Sequence, residues 1–351
     1  MADGAEALSR LLRTGLASPT PGALLGAASM LLAIAAAPGV DPASTGAVVR
    51  GLAGQGRPEA SAGALAVATL AGDESLRRWA RRDLADRGFF APQWLALLHR
   101  AVPSMRALEV IDPFRDIDDL LVGVALPTGH CITAVARLDN ELRGLVIGGA
   151  LFERPVEEVP QHLERMSNAG AQVRDIEAAD ARAGIEAGLR DVDPDLPLTS
   201  HTELQNVQPL VRWMLSRLPA GGEVRLSRRL DDADLDDCHR QFVASPWGRP
   251  WGLAHLGVLV ENVLGDGLGN GLGDPLLWAP HHVARLLDPT LRCIDPDDLD
   301  AYRTPELLRD LIRYGHAERG VPQQLTDRSL REVDRRAPAF LRAVRARADA
   351  A

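Results

Sequence analysis

The N-terminal part of the chain has the hydrophobic spacing of α-helices and few features of β-strands. Apolar residues form a long run over residues 23–37, which ends at a Pro-Gly pair. Residues 61–71 and 74–87 continue the helical pattern, and Gly88 follows the second of them as a C-terminal stop signal. The pattern therefore predicts a helical N-terminal region over residues 1–102.

Between residues 103 and 199 the pattern changes to short apolar runs that are rich in β-forming residues. The stretches DLLVGVALPTG and HCITAVARLD are separated by a Pro/Gly turn, and RGLVIGGALF follows as a third run. Runs of this kind joined by turns are typical of antiparallel strands. Helices are expected near residues 155–169 and 177–190, before a proline-rich link. This part is predicted to be a small α+β domain with an antiparallel sheet.

The rest of the chain is again helical in pattern. The segment ELQNVQPLVRWMLSRL places its apolar residues on one stripe, and GLAHLGVLVENVL is apolar nearly all round. Thr304, Pro305 and Glu306 supply an N-cap, a first-turn proline and a first-turn acid in order. Residues 200–351 are therefore predicted to be a helical C-terminal domain, and the whole protein a predominantly helical α+β fold.

Net charge and cysteine content indicate which partners and which cellular compartment to expect. The formal charge is −9, and the arginine clusters stand among acidic or apolar neighbours, so nucleic-acid binding is not expected. The cysteines Cys131, Cys238 and Cys293 are far apart and form no Cys-x-x-Cys pair, which suits a reducing cytoplasm. The N-terminus lacks a signal-peptide pattern, and the run of residues 23–37 is shorter than the roughly 20 residues that span a bilayer. We expect a cytoplasmic protein without membrane association.

No motif in the chain identifies a reaction or a cofactor. The stretch GDGLGNGLGD lacks the Gly-Lys-Ser/Thr of a P-loop, and neither G-x-S-x-G nor His-Glu-x-x-His occurs. His281 and His282 are adjacent, so on a helix they would point about 100° apart and would not easily face one metal ion. No cofactor, metal site or catalytic residue is therefore predicted.

Two weaker metal-binding alternatives stay open in the C-terminal half. The first is a single calcium-binding turn formed by Asp266, Asn270 and Asp274. The second is a divalent site on one helical face, formed by Asp232, Asp236 and His239. The favoured interpretations are a helix–helix loop for the first and a solvated acidic helix start for the second, because acids near a helix N-terminus are stabilised by the helix dipole.

The most distinctive part of the chain combines a constrained turn, GDPLLWAP, with a later charged helix. Arginines and a histidine stand three residues apart on that helix, an arrangement that suits a carboxylate or phosphate ligand. Antiparallel packing is expected to bring the helix toward the turn. The predicted binding site for a small anionic ligand comprises Asp274, Trp278, His281, Arg313, His316 and Arg319. The alternative is a Trp-capped helix junction with solvated arginines paired to nearby acids.

These same segments carry a family resemblance. ASPWG, GDPLLWAP and LLRDLIRYGHAERGVPQQLTDRSLREVD, together with the pattern of residues 120–139, resemble a family of uncharacterised actinobacterial proteins. Relatives usually continue the middle strand as Asp-His-Asn, whereas this chain has Asp139, Asn140 and Glu141. The resemblance implies a single cytoplasmic unit and brings no established activity.

The absence of catalytic motifs favours a non-enzymatic protein that binds a protein partner or a small anionic ligand. The alternative is a hydrolase or transferase whose histidines and aspartates are brought together only by folding. Convergence of two or more of a defined set of residues in one cleft would favour that alternative. The set is His130, Asp139, His201, Asp274, His281 and His316.

Overall fold

The computed structural model describes eight ranges of the chain. They are residues 2–36, 44–163, 170–190, 201–224, 230–270, 273–291, 293–294 and 300–348. The fold is α+β and predominantly helical, with an antiparallel sheet between N-terminal and C-terminal helical regions. This confirms the fold class predicted from the periodicity.

In the described ranges, six α-helices precede the sheet: α1 Ala2–Ala17, α2 Gly22–Ala35, α3 Ser44–Gly54, α4 Pro58–Leu70, α5 Glu74–Asp86 and α6 Gln93–Leu97. The long apolar run becomes α2, whose Leu24 and Leu25 are fully buried. Asp73 caps α5 by accepting a hydrogen bond from the backbone N–H of Leu76 at 2.9 Å. Within the described ranges, no helix is both long enough and apolar enough to cross a membrane.

Five strands form the sheet: β1 Val102–Ile111, β2 Ile117–Ala125, β3 Cys131–Asp139, β4 Leu145–Phe152 and β5 Gln172–Ile176. Their order is β4-β3-β2-β1-β5, and all neighbours are antiparallel. The three predicted strands correspond to β2, β3 and β4. The sequence missed β1 because Pro103 and a register shift before Ala107 interrupt its alternation. It missed β5 because this edge strand, QVRDI, is mostly exposed and polar.

The sequence predicts a helix near residues 155–169, and this prediction is wrong for the part that the structure describes. That part forms the short 3-10 turns Val156–Glu158 and Pro160–His162, and residues 164–169 lie outside the described ranges. These turns cover one face of the sheet, where Val156 and Val159 pack against Leu121. Over residues 155–163 a regular helix does not form, because Pro160 lacks the N–H that would donate to the carbonyl of Val156. The helix expected near 177–190 is present as α7, Ala178–Arg190.

The other face of the sheet shares one hydrophobic core with the N-terminal helices and α7. Helix α8, His201–Leu215, belongs to the same core, because it packs against α2 and β4. It thus packs with the elements that precede it, although the sequence division at residue 200 places it in the C-terminal domain.

The C-terminal region builds a second core from five helices: α9 Asp232–Ala244, α10 Gly257–Asn270, α11 Pro280–Leu286, α12 Thr304–Glu318 and α13 Gln323–Ala348. Fully or almost fully buried aromatic side chains, including Phe242, Trp251 and Trp278, lie at its centre. A small apolar cluster of Phe114, Ala279 and Leu325 connects this region to the loop between β1 and β2.

Candidate functional site

Four of the six residues of the predicted ligand site lie together around the turn that precedes α11. The guanidinium of Arg319 holds the carboxylate of Asp274 with two hydrogen bonds of 2.6 and 3.2 Å. The backbone N–H of Trp278 donates to His316 Nε2 at 3.3 Å. The other two lie elsewhere: Arg313 pairs with Asp310, and His281 faces the sheet.

His316 is part of a buried polar network. Because the Trp278 N–H can only donate, His316 Nε2 accepts, and the ring proton is on Nδ1, which donates to Thr326 Oγ1 at 3.1 Å. Ser329 Oγ donates to the carbonyl oxygen of Trp278 at 2.7 Å. Burial lowers the pKa of His316 to about 4, so the ring is neutral at physiological pH. Trp278 and His316 are 0% and 1% exposed, which leaves no room beside them for a ligand.

The two weaker metal alternatives are not assembled from the described side chains. Asp266 and Asp274 of the calcium turn pair with different arginines, Arg285 and Arg319. The side chains of Asn270 and Asp232 lie outside the description. His239 of the acidic helix face lies 3.8 Å from Glu261.

A different group of residues converges at the seam between the sheet and the C-terminal region. Glu141, in the turn between β3 and β4, meets His281 and His282 in the first turn of α11. His281 Nε2 lies 3.0 Å from Glu141 Oε1, and His282 Nε2 contacts the same oxygen. Asp116 Oδ2 approaches the other side of the His281 ring, 3.8 Å from Nδ1. We call Glu141, His281 and His282 the seam triad.

The turn that carries Glu141 is held in place by hydrogen bonds within the turn and by contact with α7. The backbone N–H of Leu142 donates to Asp139 Oδ1 at 3.0 Å, and that of Gly144 donates to the Asp139 carbonyl at 2.7 Å. Helix α7 presses against the turn, since a Cβ on Gly188 would lie only 2.3 Å from the Gly144 carbonyl oxygen. Glu141 is therefore presented on a fixed backbone.

The histidine pair is positioned by the C-terminal region. Pro280 occupies the first turn of α11, and the preceding Trp278 is anchored through His316 and Ser329. The rings of His281 and His282 lie with centroids 4.0 Å apart and planes inclined at 51°. The Cα–Cβ bonds of adjacent histidines on a helix diverge, as expected from the sequence. The imidazole nitrogens lie several bonds farther out, so side-chain rotation brings both Nε2 atoms to one oxygen.

Electrostatics in the seam triad favour an ionised carboxylate. Burial raises the pKa of Glu141, but the hydrogen bonds from His281 and His282 outweigh this effect and hold the pKa well below its usual range. The hydrogen bond to Glu141 raises the pKa of His281, against the opposing effect of burial. Burial also raises the pKa of the neighbouring Asp139, whose charge interacts with both Glu141 and His281. Glu141 is therefore the ionised carboxylate of the site.

The ligand-type atoms of the seam triad fit a metal ion. One carboxylate oxygen and two imidazole nitrogens all lie within 4.8 Å of one another. His282 is almost fully buried, whereas the side chains of Glu141 and His281 are 32% and 54% exposed. Three protein donors with an open side form a donor set of the kind that binds zinc or iron with positions left for water or substrate.

Sequence reasoning did not select Glu141, His282 or Asp116. The available signals were the His281-His282 pair and the departure of Asp139-Asn140-Glu141 from the family pattern. Neither signal could connect segments that are 140 residues apart in the chain.

Comparisons with protein-family models, curated proteins and solved structures find no match for this chain. The resemblance to an actinobacterial family therefore stays a prediction. The geometry of the seam triad is the feature that bears on function.

Proposed function

We propose that this protein is a ligand-binding protein whose ligand is a divalent transition-metal ion held by Glu141, His281 and His282. The observation that supports the proposal is the convergence of three ligand-type atoms from two distant segments on one point. The proposal departs from the sequence prediction of no metal site, which depended on the absence of a metal-binding motif and on the divergence of the adjacent histidines.

The donor chemistry favours zinc and its neighbours over calcium or magnesium. Imidazole nitrogen suits zinc, iron, nickel and copper, whereas calcium and magnesium prefer shells made of oxygen. Asp116 can orient His281 through Nδ1, as carboxylates commonly do behind metal-bound histidines. Because protons compete with a metal ion for imidazole nitrogens and carboxylate oxygens, the affinity for metal is expected to fall at acidic pH.

Replacement of Glu141 by glutamine is expected to weaken zinc binding about 100-fold, because the only anionic donor of the triad is lost. Isothermal titration of chelator-treated full-length protein with Zn²⁺ measures this affinity, and Co²⁺ provides an absorption spectrum of the coordination sphere. Glu157→Gln, at an exposed acid away from the seam, is the matched control and should bind like the wild type. Equal affinities of the Glu141→Gln and Glu157→Gln variants would refute the site, as would a wild type that binds no ion.

The second candidate is a hydrolase or transferase whose His and Asp side chains are assembled only in the fold. Its specific support is Asp139, which belongs to the same set as His281 and whose charge interacts with that of His281. Of the remaining residues in that set, His130 binds the Pro19 carbonyl and Thr128, and the side chain of His201 lies outside the description.

Chromogenic carboxylic and phosphate esters separate the two candidates. If the protein only binds metal, the zinc-loaded form is expected to hydrolyse these esters no faster than an equal concentration of the Glu141→Gln variant. Turnover that requires zinc and is lost in both Glu141→Gln and Asp139→Asn would instead favour the hydrolase. His255→Gln, at an exposed histidine outside the site, controls for surface effects.

We further propose a cytoplasmic setting with a small anionic ligand or a protein partner. The widely separated cysteines support the compartment. A metal ion with open positions would supply the attraction for an anion that the buried residues Trp278 and His316 do not offer.

A further inference from the structure

The two halves of the molecule have separate hydrophobic cores. One core joins the N-terminal helices, the sheet, α7 and α8, and the other joins α9 to α13. Within the described ranges, no helix or strand of the C-terminal region packs extensively against a helix or strand of the first half. The relative position of the halves therefore depends on local contacts at the seam.

Among the described residues, two of the contact groups that cross this seam lie at the end of the sheet that carries Glu141. The apolar group centres on Phe114, which is 6% exposed, packs with Ala279 and Leu325, and lies with its ring centroid 5.6 Å from that of His316. The polar group is the seam triad together with Asp116. Both groups use the loop or turn at the same end of the sheet.

Each half positions its own part of the triad through its own contacts, and neither half contains all three donor residues. Glu141 is fixed by its turn and by α7, whereas the histidine pair is fixed by the Trp278 network. The three donor atoms meet only when the halves are docked. A ligand that binds the docked arrangement alone must stabilise it, and docking must in turn raise the affinity for that ligand.

We propose that the metal ion is a clamp, meaning that its occupancy controls how firmly the C-terminal region is docked on the end of the sheet. This inference rests on the metal binding proposed above. Phe114 holds the seam without metal, and the ion adds bonds that cross it at Glu141. The protein thereby converts the local metal concentration into the fraction of docked molecules.

The test uses a residue that contributes to docking and touches no metal. Phe114→Ala removes the apolar contact and leaves all three donors in place. Under the proposal this variant binds Zn²⁺ about tenfold more weakly than the wild type, because binding must now supply the free energy that Phe114 gave to docking. Phe152→Ala, on the sheet but away from the seam, is the matched control and should keep wild-type affinity. Circular dichroism of both variants verifies that they are folded.

Hydrogen exchange on the wild-type chain provides a second measurement that does not depend on a variant. Zn²⁺ is expected to slow amide exchange about tenfold in residues 112–115 and 321–326, which cross the seam but carry no donor of the triad. Protection confined to residues 139–145 and 280–284, with unchanged affinity in Phe114→Ala, would overturn the clamp and leave the metal site standing. Absence of any zinc binding to the wild type would instead refute the proposed function itself.

Discussion

Replacement of Gly315 by alanine is expected to lower the free energy of unfolding of the C-terminal region by about 3 kcal/mol, the upper end of the usual cost of overpacking. A Cβ at this position in α12 would lie 2.3 Å from the carbonyl oxygen of Leu276 and 2.9 Å from its Cα. These are backbone atoms of the segment that leads to Trp278, so a side-chain rotation cannot relieve the clash. Urea denaturation followed by far-UV circular dichroism measures the change.

Gly265→Ala is the matched control for this experiment. Gly265 also lies inside a helix of the C-terminal region, α10, but a Cβ there has no neighbour within 4 Å. Alanine should stabilise this helix by about 0.5–1 kcal/mol, because it loses less conformational entropy than glycine on folding. Equal effects of the two substitutions would show that helix propensity, and not the close contact with Leu276, decides the outcome.

Lowering the pH from 6.5 to 4 is expected to remove about 3 kcal/mol of stability through His316 alone, given 1.4 kcal/mol for each pKa unit. The pKa of His316 is about 4 in the folded protein, compared with 6.5 for an unperturbed histidine. Between these values the unfolded chain binds a proton that the folded protein does not bind. The stability due to neutral His316 is therefore complete above pH 6.5, declines as the pH falls, and is lost below about 4.

The difference in unfolding free energy between the wild type and His316→Gln separates the effect of His316 from that of other titrating groups. In His316→Gln the side-chain oxygen can still accept from the Trp278 N–H, but the residue no longer titrates. Its unfolding free energy should be lower than that of the wild type at pH 7, and the gap should close toward pH 4. His255→Gln, at an exposed position, should keep the wild-type pH dependence. A constant gap between wild type and His316→Gln from pH 7 to 4 would contradict the assignment of a neutral buried ring.

The seam triad and the His316 network have different roles although they are close in the sequence. Trp278 and its partners form a buried support, and the adjacent first turn of α11 directs His281 and the buried His282 toward Glu141. The distinctive GDPLLWAP turn thus places the proposed metal ligands without being the ligand site. This division explains why the most conspicuous sequence feature lies beside the candidate site and not within it.

Helical spacing of apolar residues and short β-rich apolar runs bounded by turns determined the fold class, because helices bury one stripe of side chains and strands inside a covered sheet bury consecutive ones. The strands β2, β3 and β4 follow from this rule, as do α2 and α12. The strands β1 and β5 do not follow from this rule. The side chains of β5 are mostly polar and exposed, and a register shift interrupts β1, so each strand depends on hydrogen bonds to its neighbour.

The sequence by itself also grouped Asp274 and Trp278 on one turn and His316 and Arg319 on one helix, since turn chemistry and helical spacing are local properties, and it predicted that antiparallel packing brings the two segments together. Only the tertiary structure decided that Trp278 and His316 are buried and that His281 instead faces Glu141. Burial and long-range contacts depend on how the two cores dock, and one segment carries no information about the partner it will meet 140 residues away. The candidate metal site exists because two halves with separate hydrophobic cores bring a carboxylate and two imidazoles within 4.8 Å of one another.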